Sequence, residues 1–288
     1  MCVQASKHRT AFVLAGGGSL GALQVGMLSE IIEAGEHPDL IVGVSAGAIN
    51  GAFLAHSASM EMNHRMAALW SKTSTREILG LSWGSLLGLV GLRGHIANPR
   101  GIRMLLGREL PYELVERANI PFHVVCADLV TGEEVIVSSG NVLDAVLASA
   151  AIPGVFPAVS LLGRVLVDGA VAASTPVSVA VELGATRVIV LPCGFACAGK
   201  SVSRHALGRA MHAITLMSSR QLRYDFDRHS PAVEMHIVPP LCPLSQSPYD
   251  YSNGADLIAR ARESTRSWVL GGGLWRSEFP VPLNIHTH

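Results

Sequence analysis

The sequence is poor in charge. Charged side chains make up 15% of its 288 residues, well below the roughly 25% of an average soluble domain. Lysine plus arginine and aspartate plus glutamate both number 22, so the formal net charge is zero. No basic stripe is present, which argues against a nucleic-acid partner and against a polybasic attraction to anionic lipid. Any contact with a membrane is therefore expected to be mainly apolar.

Cysteine is also scarce. The five cysteines are odd in number and widely scattered, which favours a reducing compartment over a disulfide framework. Cys193 and Cys197 lack the second pair that a structural zinc site needs, and no His-Glu-x-x-His motif occurs. The sequence therefore predicts neither a metal nor another cofactor.

The first apolar run, Thr10–Ser29, carries no charge and in this respect resembles a secretory signal or a membrane-spanning segment. Five glycines interrupt it, and three of them are consecutive. A strand, a loop and a helix fit this pattern better. We therefore expect a cytoplasmic protein whose contact with a membrane is peripheral and transient.

Short β-branched segments alternate with helical patterns along the chain. Strands are predicted at Thr10–Ala15, Asp39–Val44, Phe122–Ala127, Glu134–Val137, Arg164–Val167, Thr186–Leu191 and Val233–Val238. Helices are predicted at Ala22–Glu33, Ala46–His56, Val142–Ala151, Val177–Leu183, Val202–Phe226 and Ala255–Leu270. This alternation predicts an α/β fold, a three-layer sandwich with a mainly parallel central sheet and helices on both faces.

No linker, internal repeat or low-complexity tract divides the chain, so a single domain over residues 1–288 is predicted. The apolar segment Ile78–Leu92 stands apart, with fifteen residues and no charge. It is too short to span a bilayer comfortably. It predicts either a buried helix or packed loop, or a lid that touches lipid. The oligomeric state is left open.

The pattern Gly-x-Ser-x-Gly places a serine on a tight turn between a strand and a helix. It occurs three times, around Ser19, Ser45 and Ser82. Ser82 follows no clear strand, and Trp83 would crowd such a turn. Ser19 sits behind three glycines that resemble a loop. Ser45 is best placed, because a predicted strand runs straight into it and small residues follow. Ser45 is therefore the candidate nucleophile for attack on a carboxylic ester.

The glycines before Ser19 have a separate use. Successive glycines can turn backbone N–H groups toward one point at the N-terminus of the following helix. Such donors stabilise the oxyanion formed when serine attacks an ester, and losing one typically costs about 3 kcal/mol of barrier. Gly16, Gly17 and Gly18, together with the N–H of Ala46, are the predicted oxyanion hole.

The same glycines support a rival interpretation. Gly16-x-Gly18-x-x-Gly21 matches the dinucleotide-binding fingerprint, with a strand before it and a helix after it. That fingerprint requires an acidic residue near the end of the second strand to bind ribose. Asp39 instead begins that strand, so a nucleotide site is the weaker interpretation.

A serine nucleophile also needs a proton acceptor. Asp168 ends a predicted strand, and the small residues Gly169 and Ala170 after it permit close approach. Hydrolase sheets usually present serine, aspartate and histidine in that chain order. Four histidines after Asp168 could complete such a triad, namely His205, His212, His229 and His236.

Together the motifs resemble those of patatin-like phospholipases, including bacterial serine acyl hydrolases of that family. They are Gly-Gly-Gly-Ser-Leu-Gly at 16–21, Gly-Val-Ser-Ala-Gly at 43–47 and Asp-Gly-Ala at 168–170, and the stretches 127–132 and 148–157 are also similar. The resemblance covers roughly residues 10–191, and residues 192–288 would complete the domain. It implies a Ser45–Asp168 dyad without histidine and without metal, which hydrolyses phospholipid or lysophospholipid esters through an acyl-enzyme.

Two positions depart from the family's usual pattern. Leu20 stands where the family often has Arg or Lys, and Ser174 stands where it often has Asn after the Asp-Gly turn. Neither departure removes a predicted catalytic group. Two other classes of function stay open. A thioesterase or acyltransferase would use the same serine, and a non-catalytic lipid-binding protein would keep the pocket alone.

Overall fold

The computed structural model describes residues 8–79, 95–193, 206–244 and 246–283. Ser82, Cys197, His205 and nearly all of the candidate lid Ile78–Leu92 lie outside these ranges. Within them, no helix is both long enough and apolar enough to cross a bilayer.

The described residues form eight strands in one sheet. The strands are β1 Thr10–Leu14, β2 Leu40–Val44, β3 Phe122–Asp128, β4 Glu134–Val137, β5 Val159–Leu161, β6 Arg164–Asp168, β7 Arg187–Leu191 and β8 Glu234–Ile237. The α-helices are α1 Gly21–Glu33, α2 Ala46–His56, α3 Met60–Lys72, α4 Thr75–Leu79, α5 Arg100–Glu109, α6 Val142–Ser149, α7 Val177–Glu182, α8 Ala206–His229 and α9 Gly254–Leu270.

The strand order across the sheet is β5-β6-β3-β2-β1-β7-β8, with β4 paired to β3 off this path. Five neighbouring strands run parallel to one another, namely β3, β2, β1, β7 and β8. Strands β4, β5 and β6 join them through antiparallel pairs. The predicted mainly parallel sheet is confirmed. Its topology places the end of β6 and the end of β2 on either side of β3, although the two are far apart in sequence.

Side chains of β1 alternate between the two faces of the sheet. Phe12 and Leu14 join a large core with helices α1, α2, α3 and α9. Ala11 and Val13 join a second core with helices α7 and α8. Both cores are almost fully buried, as the continuous apolar pattern of parallel strands requires. The predicted three-layer arrangement is therefore confirmed.

Most predicted elements are present, with ends that differ by a few residues. The helix predicted over Val142–Ala151 ends at Ser149, and the long helix predicted from Val202 is described from Ala206. Helices α3, α4 and α5 were not predicted. Helix α3 begins after Ser59, whose side chain caps it by accepting a hydrogen bond from the N–H of Met62, and serine is a residue type that favours this position.

Glycine allows α2 to approach the sheet closely. A Cβ atom at Gly47 would collide with the carbonyl oxygen of Leu14 in β1. A Cβ atom at Gly43 would lie 2.6 Å from the carbonyl oxygen of Gly47. The turn from β2 into α2 therefore forms only because these positions have no side chain.

Replacing Gly47 with alanine should lower the free energy of unfolding by roughly 3 kcal/mol, because backbone atoms must move apart. Gly107→Ala is the matched control, since its Cβ would meet only Leu143 at 3.5 Å, an ordinary contact. In helix α5 this change should raise the free energy of unfolding by about 0.5–1 kcal/mol. Urea denaturation of both variants tests the opposite signs, and a neutral Gly47→Ala would contradict the close approach.

Candidate active site

Ser45 lies at the turn between β2 and α2 with an unusual backbone. Its φ is 54° and its ψ is −122°, in the region that side chains other than glycine rarely adopt. The residue is buried, and its carbonyl accepts hydrogen bonds from the N–H groups of Ala48 and Ile49. Although Ser45 precedes the helix, its side chain does not cap it.

The hydroxyl of Ser45 meets the carboxylate of Asp168. Its Oγ donates a hydrogen bond of 2.6 Å to Oδ2 of Asp168. The other oxygen, Oδ1, accepts the N–H of Ala170 at 2.9 Å. Sheet topology makes this contact, because Asp168 pairs with Cys126 on β3, which is next to β2. The contact expected from the sequence is therefore present.

The carboxylate of Asp168 has an altered acidity. Burial raises its pKa from 3.8 to about 6, although the hydrogen bonds from Ser45 and Ala170 lower it. Only 3% of the residue is exposed, so water contributes little to stabilising the charge. A carboxylate with a pKa near neutrality is a better proton acceptor than an ordinary aspartate at neutral pH.

The glycine loop uses some of its N–H groups for its own structure. The N–H of Gly16 donates to the carbonyl of Ser174 at 3.0 Å, and that of Ser19 donates to the carbonyl of Pro248 at 2.8 Å. Gly16 was predicted as an oxyanion donor, but its N–H is already engaged. None of the hydrogen bonds found among the described residues uses the N–H groups of Gly17, Gly18 or Ala46.

Ser174, one of the two departures from the family pattern, connects three parts of the site. Its carbonyl accepts the hydrogen bond from the N–H of Gly16. Its N–H lies 3.2 Å and its hydroxyl 3.4 Å from Oε1 of Gln221 on α8. Gln221 also donates to the carbonyl of Ala172 at 3.4 Å. The turn after Asp168 is therefore braced by a helix that lies beyond the region of motif resemblance.

A buried amide network fixes the other side of the glycine loop. Gln24 in α1 donates to the carbonyls of Ala15 at 2.9 Å and of Leu191 at 2.8 Å. Asn50 in α2 donates to the carbonyl of Gly21 and to Oε1 of Gln24, each at 2.9 Å. Both amides are completely buried. The network joins the helix after Ser45 to both ends of the glycine loop, and no local sequence pattern indicated it.

An apolar cavity opens beside Ser45. About 510 Å³ of space free of protein atoms lies there, a figure that includes solvent space at the mouth. None of the described residues in its wall carries a charge. They are Gly18, Ser45, Ala46, Ile49, Leu69, Trp70, Thr73, Ile78, Ile102, Leu105, Leu106, Ala150, Ile152, Phe156 and Tyr251. The wall includes Tyr251 from the C-terminal part of the chain.

Two of the four candidate histidines, His229 and His236, have described side chains, and both make other contacts. His229 Nε2 lies 3.0 Å from the hydroxyl of Ser178, and Oδ1 of Asp225 lies 3.4 Å from the same hydroxyl. His236 is buried between Glu234 and the carbonyl of Arg276. His205 lies outside the described residues, and only the backbone of His212 is described.

Metal-binding side chains are not grouped among the described residues. In the ranges that the structure describes, no three His, Cys, Asp or Glu side chains are placed together to hold a metal ion.

Two solved structures overlap distantly with this fold. Human GIVD cytosolic phospholipase A2 overlaps with a TM-score of 0.45 and 13% identity, over 93% of this chain and 58% of that one. VipD from Legionella pneumophila overlaps with a TM-score of 0.40 and 14% identity, over 90% of this chain and 67% of that one.

Curated relatives are much longer proteins. Mouse patatin-like phospholipase domain-containing protein 7 is 29% identical over 191 residues, which is 64% of this chain and 13% of that protein. Neuropathy target esterase sws of Drosophila melanogaster is 30% identical over 192 residues, 63% of this chain and 13% of that protein. An uncharacterised NTE family protein of Mycobacterium bovis is 33% identical over 167 residues, 58% of this chain and 27% of that protein.

A family model decides the classification. The model described as patatin-like phospholipase matches residues 12–181, which is more than half of the chain. The match begins in β1, includes Ser45 and Asp168, and ends in α7. The chain belongs to the patatin-like phospholipase family.

Proposed function

We propose that this protein hydrolyses acyl esters of phospholipids or lysophospholipids, with Ser45 as the nucleophile and Asp168 as its base. The observation that carries the proposal is the 2.6 Å hydrogen bond between Ser45 Oγ and Asp168 Oδ2. That distance allows direct proton transfer from the hydroxyl to the carboxylate. Membership of the patatin-like phospholipase family supports the same class of reaction.

The chemistry would proceed in two stages. Oγ of Ser45 attacks the ester carbonyl while its proton passes to Asp168, and collapse of the tetrahedral intermediate returns that proton to the leaving alcohol. The acyl group is then bound to Ser45 as an ester. Water, deprotonated by Asp168, attacks this ester, and Ser45 regains its proton as the fatty acid leaves.

The oxyanion would be held by backbone donors. We assign this role to the N–H groups of Gly17, Gly18 and Ala46, because the N–H of Gly16 is engaged by Ser174. Gly18 and Ala46 line the same cavity as Ser45, so donors from both sides of the serine reach one space. Fixed N–H groups there would stabilise the developing negative charge.

The cavity supports an acyl substrate. Its described wall is apolar and lacks charge, so it would bind a hydrocarbon chain by excluding water. Ile78, the first residue of the apolar segment Ile78–Leu92, is part of this wall. A lipid that contacts Ile78 would therefore lie close to Ser45.

Ser45→Ala should abolish both ester hydrolysis and labelling by a fluorophosphonate probe, because the reacting oxygen is gone. Asp168→Asn should lower kcat by roughly 10²–10⁴-fold, the usual contribution of a general base. A fluorescent fatty-acid ester gives the rates, and circular dichroism checks that each variant is folded.

Ser178→Ala is the control, since Ser178 contacts His229 away from the proposed dyad. It should retain wild-type hydrolysis. Most activity surviving in purified Asp168→Asn would reject the dyad in favour of a histidine-based triad. Loss of activity in Ser178→Ala alone would move the reaction to that second serine.

The rate should depend on the ionisation of Asp168. Because its pKa is about 6 and the charged form is the base, kcat/KM should rise with pH and reach half its maximum near pH 6. At pH 5 it should be about a tenth of the plateau. A midpoint near pH 4, or a rate independent of pH between 5 and 8, would exclude Asp168 as the base.

The same pKa predicts a pH-dependent cost in stability. The folded protein binds the Asp168 proton more tightly than the unfolded chain does. Protonation of Asp168 therefore stabilises the folded state fully below about pH 4, and this stabilisation is lost as the pH rises through about 6. The stability of Asp168→Asn relative to wild type should therefore be greater at pH 8 than at pH 4, by up to roughly 3 kcal/mol. Urea denaturation at both pH values measures the difference, and the comparison cancels other titrating groups.

The acyl carrier can be tested directly. Lysophosphatidylcholine, diacyl phosphatidylcholine and an acyl-coenzyme A thioester of the same chain length should be compared by release of free fatty acid. Either phospholipid should be hydrolysed with a higher kcat/KM than the thioester. The opposite order would favour a thioesterase that uses the same serine.

A further inference from the structure

The short stretch Ser149–Ala151, at the end of α6, contacts the backbone of both Ser45 and Asp168. The hydroxyl of Ser149 accepts the N–H of Ser45 at 2.8 Å. Two residues later, the carbonyl of Ala151 accepts the N–H of Asp168 at 3.0 Å. One rigid turn of chain is therefore bonded to both partners of the proposed dyad.

The hydroxyl of Ser149 is also fixed in direction. It donates to the carbonyl of Val125 on β3 at 2.6 Å, and the side chain is completely buried. With its proton directed to Val125, the oxygen presents its lone pairs to the N–H of Ser45. Val125 pairs with Val44, the residue before Ser45, so the three groups lie side by side on the sheet.

This arrangement differs from the usual bonding of a serine at a helix end. Such a serine commonly returns its hydroxyl to the carbonyl four residues earlier in its own helix. Ser149 instead bridges strand β3 and the turn at Ser45. The two hydrogen bonds of the Ser149 hydroxyl therefore join α6 to β3 and to the turn at Ser45.

The backbone of Ser45 needs such a partner. Its φ of 54° is costly for a residue with a side chain, by roughly 1–3 kcal/mol. A buried N–H without an acceptor would cost a further 1–3 kcal/mol or so. Without Ser149, rotation of the peptide between Val44 and Ser45 would relieve both costs and would carry Oγ away from Asp168.

We propose that Ser149 is a positioning residue, which holds the peptide of Ser45 in its strained form and so keeps Oγ against the carboxylate of Asp168. The inference rests on the proposed function, because Ser45 must react for its position to affect a rate. Ala151 completes the arrangement by fixing Asp168 to the same turn. A displacement of about 1 Å between reacting groups can lower a rate roughly 10²-fold.

Ser149→Ala tests the proposal against Ser29→Ala. Ser29 is also buried, accepts a 2.6 Å hydrogen bond from Asn63 and donates to the carbonyl of Val25 at 3.2 Å. Each substitution removes one donated and one accepted hydrogen bond, so both should lower the melting temperature. Only Ser149→Ala should lower kcat, by about 10–100-fold, with KM within about twofold of wild type. The rate of fluorophosphonate labelling should fall by the same factor.

The pH profile gives a readout that loss of stability alone would not change. The hydrogen bond from Ser45 lowers the pKa of Asp168. If the hydroxyl moves away in Ser149→Ala, the midpoint of kcat/KM should shift to higher pH. The conservative variant S149C keeps a weak acceptor and should restore part of the lost kcat.

A kcat for Ser149→Ala within twofold of wild type would overturn the inference, as would equal losses in Ser149→Ala and Ser29→Ala. A wild-type protein that neither hydrolyses esters nor reacts with the probe would instead refute the proposed function. A crystal structure of Ser149→Ala separates the two cases without turnover. A Ser45 φ that stays near its present value, with Oγ still bonded to Asp168, would overturn the positioning role by itself.

Discussion

The left-handed turn at Ser45 is the constraint on which the site depends. It lets a buried strand pass directly into a buried helix while the side chain between them points at Asp168. The conformation is unfavourable in isolation and persists because surrounding structure fixes it. Close packing at Gly47 brings α2 against β1, and hydrogen bonds hold both ends of the turn.

Exclusion of water links the acidity of the site to its shape. Asp168 is buried where the end of β6 pairs with β3. The same burial leaves an apolar space beside Ser45. A carboxylate in such surroundings is a stronger base and a poorer contributor to stability, which is the usual compromise at functional sites. The extensive apolar core on both sheet faces offsets this cost.

Local patterns in the sequence predicted most of this fold. Strand periodicity, glycine turns and the small residues after Ser45 are local signals, and the elements they indicate are present. The helix Met60–Lys72 was not predicted, although Met62, Met66 and Trp70 recur along it at four-residue spacing, which is a local helical signal.

Other parts of the site had no such signal. The bond between Ser149 and the N–H of Ser45, the engaged N–H of Gly16 and the place of Tyr251 in the cavity beside Ser45 join residues more than a hundred positions apart. Pairings of this kind depend on the finished topology, and a single sequence does not reveal them.

The bonds of Ser19 have a consequence for the order of assembly. Its N–H donates to the carbonyl of Pro248, and its hydroxyl donates to the carbonyl of Ser247. Ser247 lies 228 positions after Ser19 in the sequence. During synthesis from the N-terminus, the ribosome makes Ser19 and Ser45 long before these partners. The glycine loop can therefore complete its contacts only after Ser247 and Pro248 have emerged, so the site matures long after the segments that carry Ser45 and Asp168 have been made.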